Sequence, residues 1–211
     1  MKDGWIDLFG CGTSGWDRGF EEAYQPYSIS NDASKFYIGG KVAHGLLGDF
    51  TNADWGIYNK ISNGGNVAGL WRTLTYDEWY YLLFTRPNAI YKLGAATVNK
   101  VKGLVLLPDD WTVSNSITFS SGYQNGFSTN TYSIDEWRIM ESNGAIFLPT
   151  AGTRDVACGN VHDVDSCGEY WSSSPYSYQA EYRLFFNENK VSIDGLMNCD
   201  GQSVRLVKDV E

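Results

Sequence analysis

Side chains able to do chemistry are sparse in this chain of 211 residues, and their spacing settles little. Cysteines stand at Cys11, Cys158, Cys167 and Cys199. Four cysteines allow three pairings if all are joined. Cys158 and Cys167 lie on either side of a polar loop and could staple it, whereas Cys11 and Cys199 read as free thiols. No Cys-x-x-Cys and no Cys/His spacing suits zinc, whose structural sites take four such ligands. His44 and His162 both sit in loop-like sequence. Asp109-Asp110 could be a general acid/base pair or two calcium ligands. A calcium site takes six or more oxygens from several positions, so a solvated loop accounts for the pair better. These residues call for no metal, no cofactor and no catalytic group.

Recognition is a different matter, and the last forty residues carry its pattern. Tyr182, Leu184 and Phe186 alternate with Arg183 and Phe185; Val191 and Ile193 repeat the alternation, and Val204, Leu206 and Val207 close it. Period two predicts strands, with turns at Asn187-Glu-Asn189 and Asp194-Gly195. The stretch 168–207 is therefore expected to be an antiparallel meander with Trp171, Leu184, Phe186 and Val204 buried. Between these apolar positions stand Tyr178, Gln179, Arg183, Phe185, Met197, Asn198 and Cys199. Neither strand propensity nor turn chemistry asks for those identities. Aromatic residues beside Arg and Asn are what recognition surfaces use.

The elements that must hold this face precede it. Thr75-Tyr-Asp-Glu78 and Ser133-Ile-Asp-Glu136 are both capping boxes, in which hydroxyl and carboxylate satisfy each other's backbone N–H. They predict helices over 75–84 and 133–142, with Trp79, Leu82 and Leu83 as one apolar stripe and Trp137 with Met140 as the other. Runs at 103–107 and 145–148, each closed by Pro, read as strands. The polar segment 109–131 reads as a long loop or hairpin. Residues 1–70 are Gly-, Asn- and aromatic-rich and read as irregular, apart from a helical turn at 55–58. Hydrophobic content of 43% suffices for one large domain. A net charge of −9 without any Lys/Arg run argues against nucleic acid. No apolar run reaches the ~20 residues of a spanning helix. No secretory signal begins at Met1, and Gly4-Trp-Ile-Asp-Leu-Phe9 reads as the interior of a folded unit. The chain is thus expected to be the C-terminal part of a longer protein.

At this point the motifs resemble a known family. Leu70-Trp-Arg-Thr-Leu-Thr-Tyr-Asp-Glu-Trp79 is similar to the Arg-x-Pro-Thr-x-x-Glu-Trp helix start of C-type-lectin-fold proteins of the formylglycine-generating-enzyme type, with Leu74 in place of Pro. Tyr170-Trp-Ser-Ser-Ser174, Tyr182-x-Leu-x-Phe186 and Gly201-x-Ser-Val-Arg-Leu-Val207 resemble the C-terminal signature of the major paralogous domain proteins of gut anaerobes. They are equally similar to the variable proteins of diversity-generating retroelements. In that family, reverse transcription rewrites chosen codons of a C-terminal repeat at template adenines while the fold is kept. The resemblance implies an α+β, C-type lectin-like fold, two helices packed on a small antiparallel sheet with long irregular loops. Residues 1–211 would form one such domain and 168–207 its ligand-binding meander.

It further implies that Trp171, Ser172, Ser173, Leu184, Phe186, Val191, Gly201, Val204 and Arg205 are fixed. Taken with the alternation, the free positions that would bind ligand are Ser177, Tyr178, Arg183, Phe185, Asn189, Ile193, Leu196, Asn198 and Asp200. Randomising the adenines of an Asn codon cannot yield Gln, Glu, Lys or Met. Gln179, Glu181, Glu188, Lys190, Met197 and Gln202 therefore need other template codons or stand outside the set. Glu181 also replaces a small residue of the pattern. The function implied is a non-enzymatic receptor or adhesin, at a cell surface or secreted, borne by a lipoprotein or a phage. Its partner would be a protein or glycan on a cell surface, with no nucleic acid and no membrane insertion. The alternative is an undiversified glycan-binding or structural domain. An oxidase of the formylglycine-generating type is more remote, because Cys158 and Cys199 lie in no matching motif and fold alone carries no function. The calcium-dependent lectin motifs Glu-Pro-Asn and Trp-Asn-Asp are absent, and Arg86-Pro-Asn88 has the wrong charge for the first.

Overall fold

The computed structural model describes residues 8–16, 45–112, 117–155 and 159–209. Gly4, His44 and Cys158 lie outside them, as does much of the irregular region expected over 1–70. The described residues form an α+β fold of few helices and several small sheets.

The N-terminal part is built from caps. In α1 (Trp55–Tyr58) the Asp54 carboxylate accepts from the Gly56 N–H at 2.9 Å, while its second oxygen accepts from Thr73 N–H at 2.8 Å. One buried side chain thus starts the helical turn and fastens it to β1 (Arg72–Thr73). Helix α2 (Tyr76–Tyr80) opens on the expected capping box: Thr75 Oγ1 accepts from Glu78 N–H at 3.2 Å and Glu78 Oε2 accepts from Thr75 N–H at 2.8 Å. It runs on through a π turn, Tyr81–Thr85, and stops where Arg86 turns extended ahead of Pro87. Trp79 and Leu83 are buried and Leu82 half-buried, so the expected stripe faces inward. Arg72 grips Glu78 with two bonds of 2.8 and 2.6 Å, which holds the Glu78 carboxyl down at about 2. Thr75→Ala removes the hydroxyl half of the box and is expected to cost about 1 kcal/mol. The check is a lower denaturation midpoint at unchanged slope.

Strands β2 (Leu93–Val98) and β3 (Val101–Leu106) form a hairpin across Asn99 and Lys100, both at positive φ as a two-residue turn of this hand requires. β4 (Thr131–Tyr132) joins β2 in parallel, and β5 (Ile146–Pro149) joins β3 antiparallel, giving the order β4-β2-β3-β5. Helix α3 (Ile134–Ser142) carries the second capping box and buries Trp137 and Met140 against Val98, Val105 and Leu107. β6 (Thr153–Arg154) and β7 (Val161–His162) pair as a short ribbon.

The C-terminal meander is present: β8 (Gly168–Ser177), β9 (Ala180–Asn187) and β10 (Lys190–Met197) pair antiparallel with β9 in the middle. β11 (Leu206–Val207) returns to pair with β1. Leu184 and Phe186 are fully buried in a core shared with Trp79, Leu83, Leu93, Leu104 and Leu148. Trp171 faces a second cluster with Cys11, Leu46, Ala53 and Cys199, and its indole N–H donates to the Phe9 carbonyl at 2.8 Å. β8 is bulged between Trp171 and Ser177, which re-aims its last residues.

Three expectations change. Asp194-Gly195 is not a turn: Asp194 pairs with Arg183 and Gly195 with Tyr182 inside β10. Gly195 is there for closeness, since a Cβ on it would lie 2.1 Å from the Tyr176 ring. Val204 is half-buried rather than buried, packed on the Trp171 cluster. Cys167 carries a free thiol, so it makes no staple to Cys158.

Candidate functional site

The two faces of the meander differ because alternate side chains point to opposite sides. On the outer face Arg183 lies between two carboxylates. Its Nε donates to Asp194 Oδ1 at 2.9 Å and its Nη1 to the buried Glu169. The guanidinium lies 5.2 Å from the Phe185 ring centre and the Lys190 ammonium 5.5 Å from it, so both cations rest on one aromatic ring. Arg183 is a built part of the sheet. Arg183→Ala would leave Glu169 without its cation and is expected to cost about 1.5–3 kcal/mol, the range for a hydrogen bond to a charged group. The same truncation of Tyr91, 68% exposed and away from the meander, is expected to cost less than about 0.5 kcal/mol, and parallel denaturant titrations separate the two.

The nine positions named from sequence fall in several places. Ser177 and Tyr178 stand exposed together at the β8–β9 turn. Arg183 and half-buried Phe185 share the outer face. Asn189 is exposed in the turn at the far end of the sheet, on the rim of a shallow cavity of about 230 Å³ shared with Lys102 and Asp165. Ile193 packs toward the main core and Leu196 toward the Trp171 cluster. Asn198 is buried; its carbonyl accepts from Cys11 N–H at 2.7 Å and its N–H donates to Gln179 O at 2.9 Å. Asp200 is half-buried beyond it.

Sequence reasoning missed the aromatic group beside the β8–β9 turn. Tyr176 meets Tyr182 edge-on at 5.1 Å between ring centres, Tyr182 meets Tyr76 at 4.2 Å, and Tyr76 meets Tyr80 at 5.6 Å. Tyr80 then touches Phe84 at 5.4 Å, and Phe84 touches Tyr123 at 5.7 Å. The six rings form a ladder, each in contact with the next, where α2 lies against the end of the meander. Tyr176 is 54% exposed and Tyr80 42%. Half the signal was in plain view: Tyr76, Tyr80 and Phe84 follow at i, i+4 and i+8, one face of a helix. On the other side of α2 lies the larger cavity, about 550 Å³, with an apolar floor of Leu74, Leu82 and Val207 and a rim where Arg72 is already paired with Glu78 and Asp209.

Beneath the β8–β9 turn is an unusual carboxyl. Glu181 is fully buried; Oε1 accepts from Gly45 N–H at 3.0 Å, and among the described residues Oε2 has no hydrogen-bond partner. Burial pushes it up to about 8, with the Gly45 bond opposing. Burial, reinforced by the Glu181 and Asp54 carboxyls, raises the Cys11 thiol, and burial lifts Cys199 to about 11. Neither thiol is a thiolate near neutral pH, and the thiolate is the nucleophile. Among the described residues no three His, Cys, Asp or Glu side chains gather as metal ligands would, and no helix is long and apolar enough to cross a membrane. Set against protein-family models, curated proteins and solved structures, the chain matches none of them.

Proposed function

We propose that this chain is a non-enzymatic ligand-binding module, a receptor or adhesin, built on a C-type lectin-like scaffold and exposed at a cell surface or secreted. The observation that carries the reading is the division of labour within the meander. Trp171, Leu184 and Phe186 are buried beneath it, while Ser177, Tyr178 and Tyr176 project at one end, beside the tyrosines of α2. A side chain held on a packed frame loses little entropy on binding and can be exchanged without refolding the frame. The resemblance of the helix-start and C-terminal motifs to variable lectin-fold proteins supports the same reading.

The test is a display library randomised at Ser177, Tyr178, Phe185 and Asn189 and screened against bacterial and host surface preparations. Variants that keep the fold and gain or change a partner support the proposal. A library that folds and yields no surface binder beyond background, with the parent also silent, overturns it.

A further inference from the structure

We infer that the cavity beside α2 is a second binding site, for a small monocarboxylate with an apolar tail, in which Asp209 stands in for the ligand's carboxylate. The inference goes beyond the binding-module reading and does not rest on it. At about 550 Å³ the cavity falls within the range usual for small-molecule sites. It lies where β1 and β11 pair beside α2, and no residue of β8, β9 or β10 among the described residues lines it. Leu74, Leu82 and Val207 make its floor, with Tyr81 at its side. Sites of this kind join an apolar lining to a few placed polar groups. Here that group is the Arg72 guanidinium.

Arg72 holds two carboxylates, and it holds them differently. Nη1 and Nη2 donate to Glu78 at 2.8 and 2.6 Å, and that carboxylate also accepts from Thr75 N–H at 2.8 Å and Thr75 Oγ1 at 3.0 Å. Glu78 is thus fixed by its capping box. Nε and Nη2 donate to Asp209 at 3.3 and 2.7 Å, a second two-pronged grip. Asp209 stands two residues beyond β11 with its side chain 76% exposed. An ion pair so exposed contributes little and is readily exchanged. The guanidinium fork matches a planar carboxylate, and Asp209 shows one seated in it. A ligand carboxylate entering there replaces Asp209 one for one, so the charge facing Glu78 is unchanged. A phosphate would bring further negative charge beside Glu78 and Asp77 in a chain of net −9. The exposed rim residues Lys208 and Asp77 offset each other.

An outside carboxylate must also displace one that is tethered nearby, at an effective concentration in the millimolar range. The apolar floor supplies the means. An aspartate side chain is too short to cover it, whereas an alkyl tail removes that surface from water. The experiment is isothermal titration of the purified chain with octanoate, alongside acetate, octanol, octyl phosphate and octyltrimethylammonium, with amide NMR to place the ligand. Octanoate should bind and shift the amides of Leu82 and Val207. Acetate and octanol, each lacking one half of the ligand, should bind about tenfold more weakly or worse. Asp209→Ala should tighten octanoate about fivefold or more by removing the competitor. Lys208→Glu, at an exposed rim position, should weaken it severalfold. Arg72→Lys keeps the charge, loses the fork and should weaken it about tenfold. Circular dichroism checks each fold, and Asp209→Ala with Lys208→Glu decides alone should Arg72→Lys fail to fold.

Unchanged or weaker binding by Asp209→Ala overturns the inference, because Asp209 then merely fastens β11 to β1. Octanol binding as tightly as octanoate would leave an apolar cavity without a charged end. Tighter binding of octyl phosphate or octyltrimethylammonium would assign another class. Either result overturns the inference, as does silence of Asp209→Ala toward octanoate at millimolar concentration. None of these outcomes touches the outer face of the meander, whose binding the surface screen tests separately.

Discussion

Moving from about pH 5 to about pH 9 is expected to strip this protein of several kcal/mol of stability through one side chain, Glu181. Its carboxyl is fully buried, takes one backbone donor among the described residues, Gly45, and is raised from 4.5 to about 8 in the folded chain. Between those two values the native state keeps a proton that the unfolded chain has given up. Stability therefore falls as pH rises across that window; the contribution is complete below 4.5 and gone above about 8. A gap of that size is worth on the order of 5 kcal/mol. Glu181→Gln keeps an oxygen for the Gly45 N–H and abolishes the titration. Its unfolding free energy should be flat through the window and higher than that of the parent at neutral pH. Urea titrations of both proteins at several pH values decide, and parallel pH profiles would mean that the carboxylate finds a partner when it ionises. Glu78 acts with the opposite sign. Held at about 2 by Arg72, it stabilises above 4.5 and loses that contribution as pH falls through its folded value, so the optimum should lie on the mildly acidic side.

The sequence was most legible where the physics is local. A capping box needs only residues i and i+3, so both helices begin where Thr75–Glu78 and Ser133–Glu136 place them. Strand alternation is nearly as local, and Leu184 and Phe186 were expected in the core where they are found. What could not be read depends on partners distant in the chain. Arg183 looked like a free recognition residue; its ion-pair partner Glu169 stands fourteen residues earlier on the neighbouring strand. Asn198 stood among the free positions of the meander, and Asp194-Gly195 read as a turn ahead of it. The glycine instead makes room for Tyr176, β10 runs straight on, and Asn198 arrives beneath the β8–β9 turn. The tyrosine ladder needs α2 to dock on the meander before any of its rings has a neighbour across the interface. Glu181 is the one residue whose oddity was visible beforehand, as an acid where the resembling family has a small side chain, though its buried state became plain only with Gly45 beside it.

Phe186 is where the frame should fail most sharply. The ring is fully buried in the core that joins the meander to α2 and to the central sheet, stacked 6.2 Å from Tyr170. Phe186→Ala removes the ring and leaves a cavity among side chains held by three different elements, which cannot all move to fill it. The expected loss is ~3–5 kcal/mol, measured by denaturant titration. A loss below about 1 kcal/mol would mean that the site collapses freely and that the meander is not a packed frame. The same ring explains a glycine across the sheet. Gly168 is its register partner, and a Cβ there would stand 2.1 Å from the ring's far edge. Gly168→Ala should therefore be destabilising in the parent. In the Phe186→Ala background the ring is gone and the added methyl has space, so the second substitution should cost much less there than alone. Such non-additivity is what direct contact between two sites produces. If the two losses simply add, the ring and the glycine are not in contact, and the frame beneath the outer face of the meander is packed differently from the arrangement described.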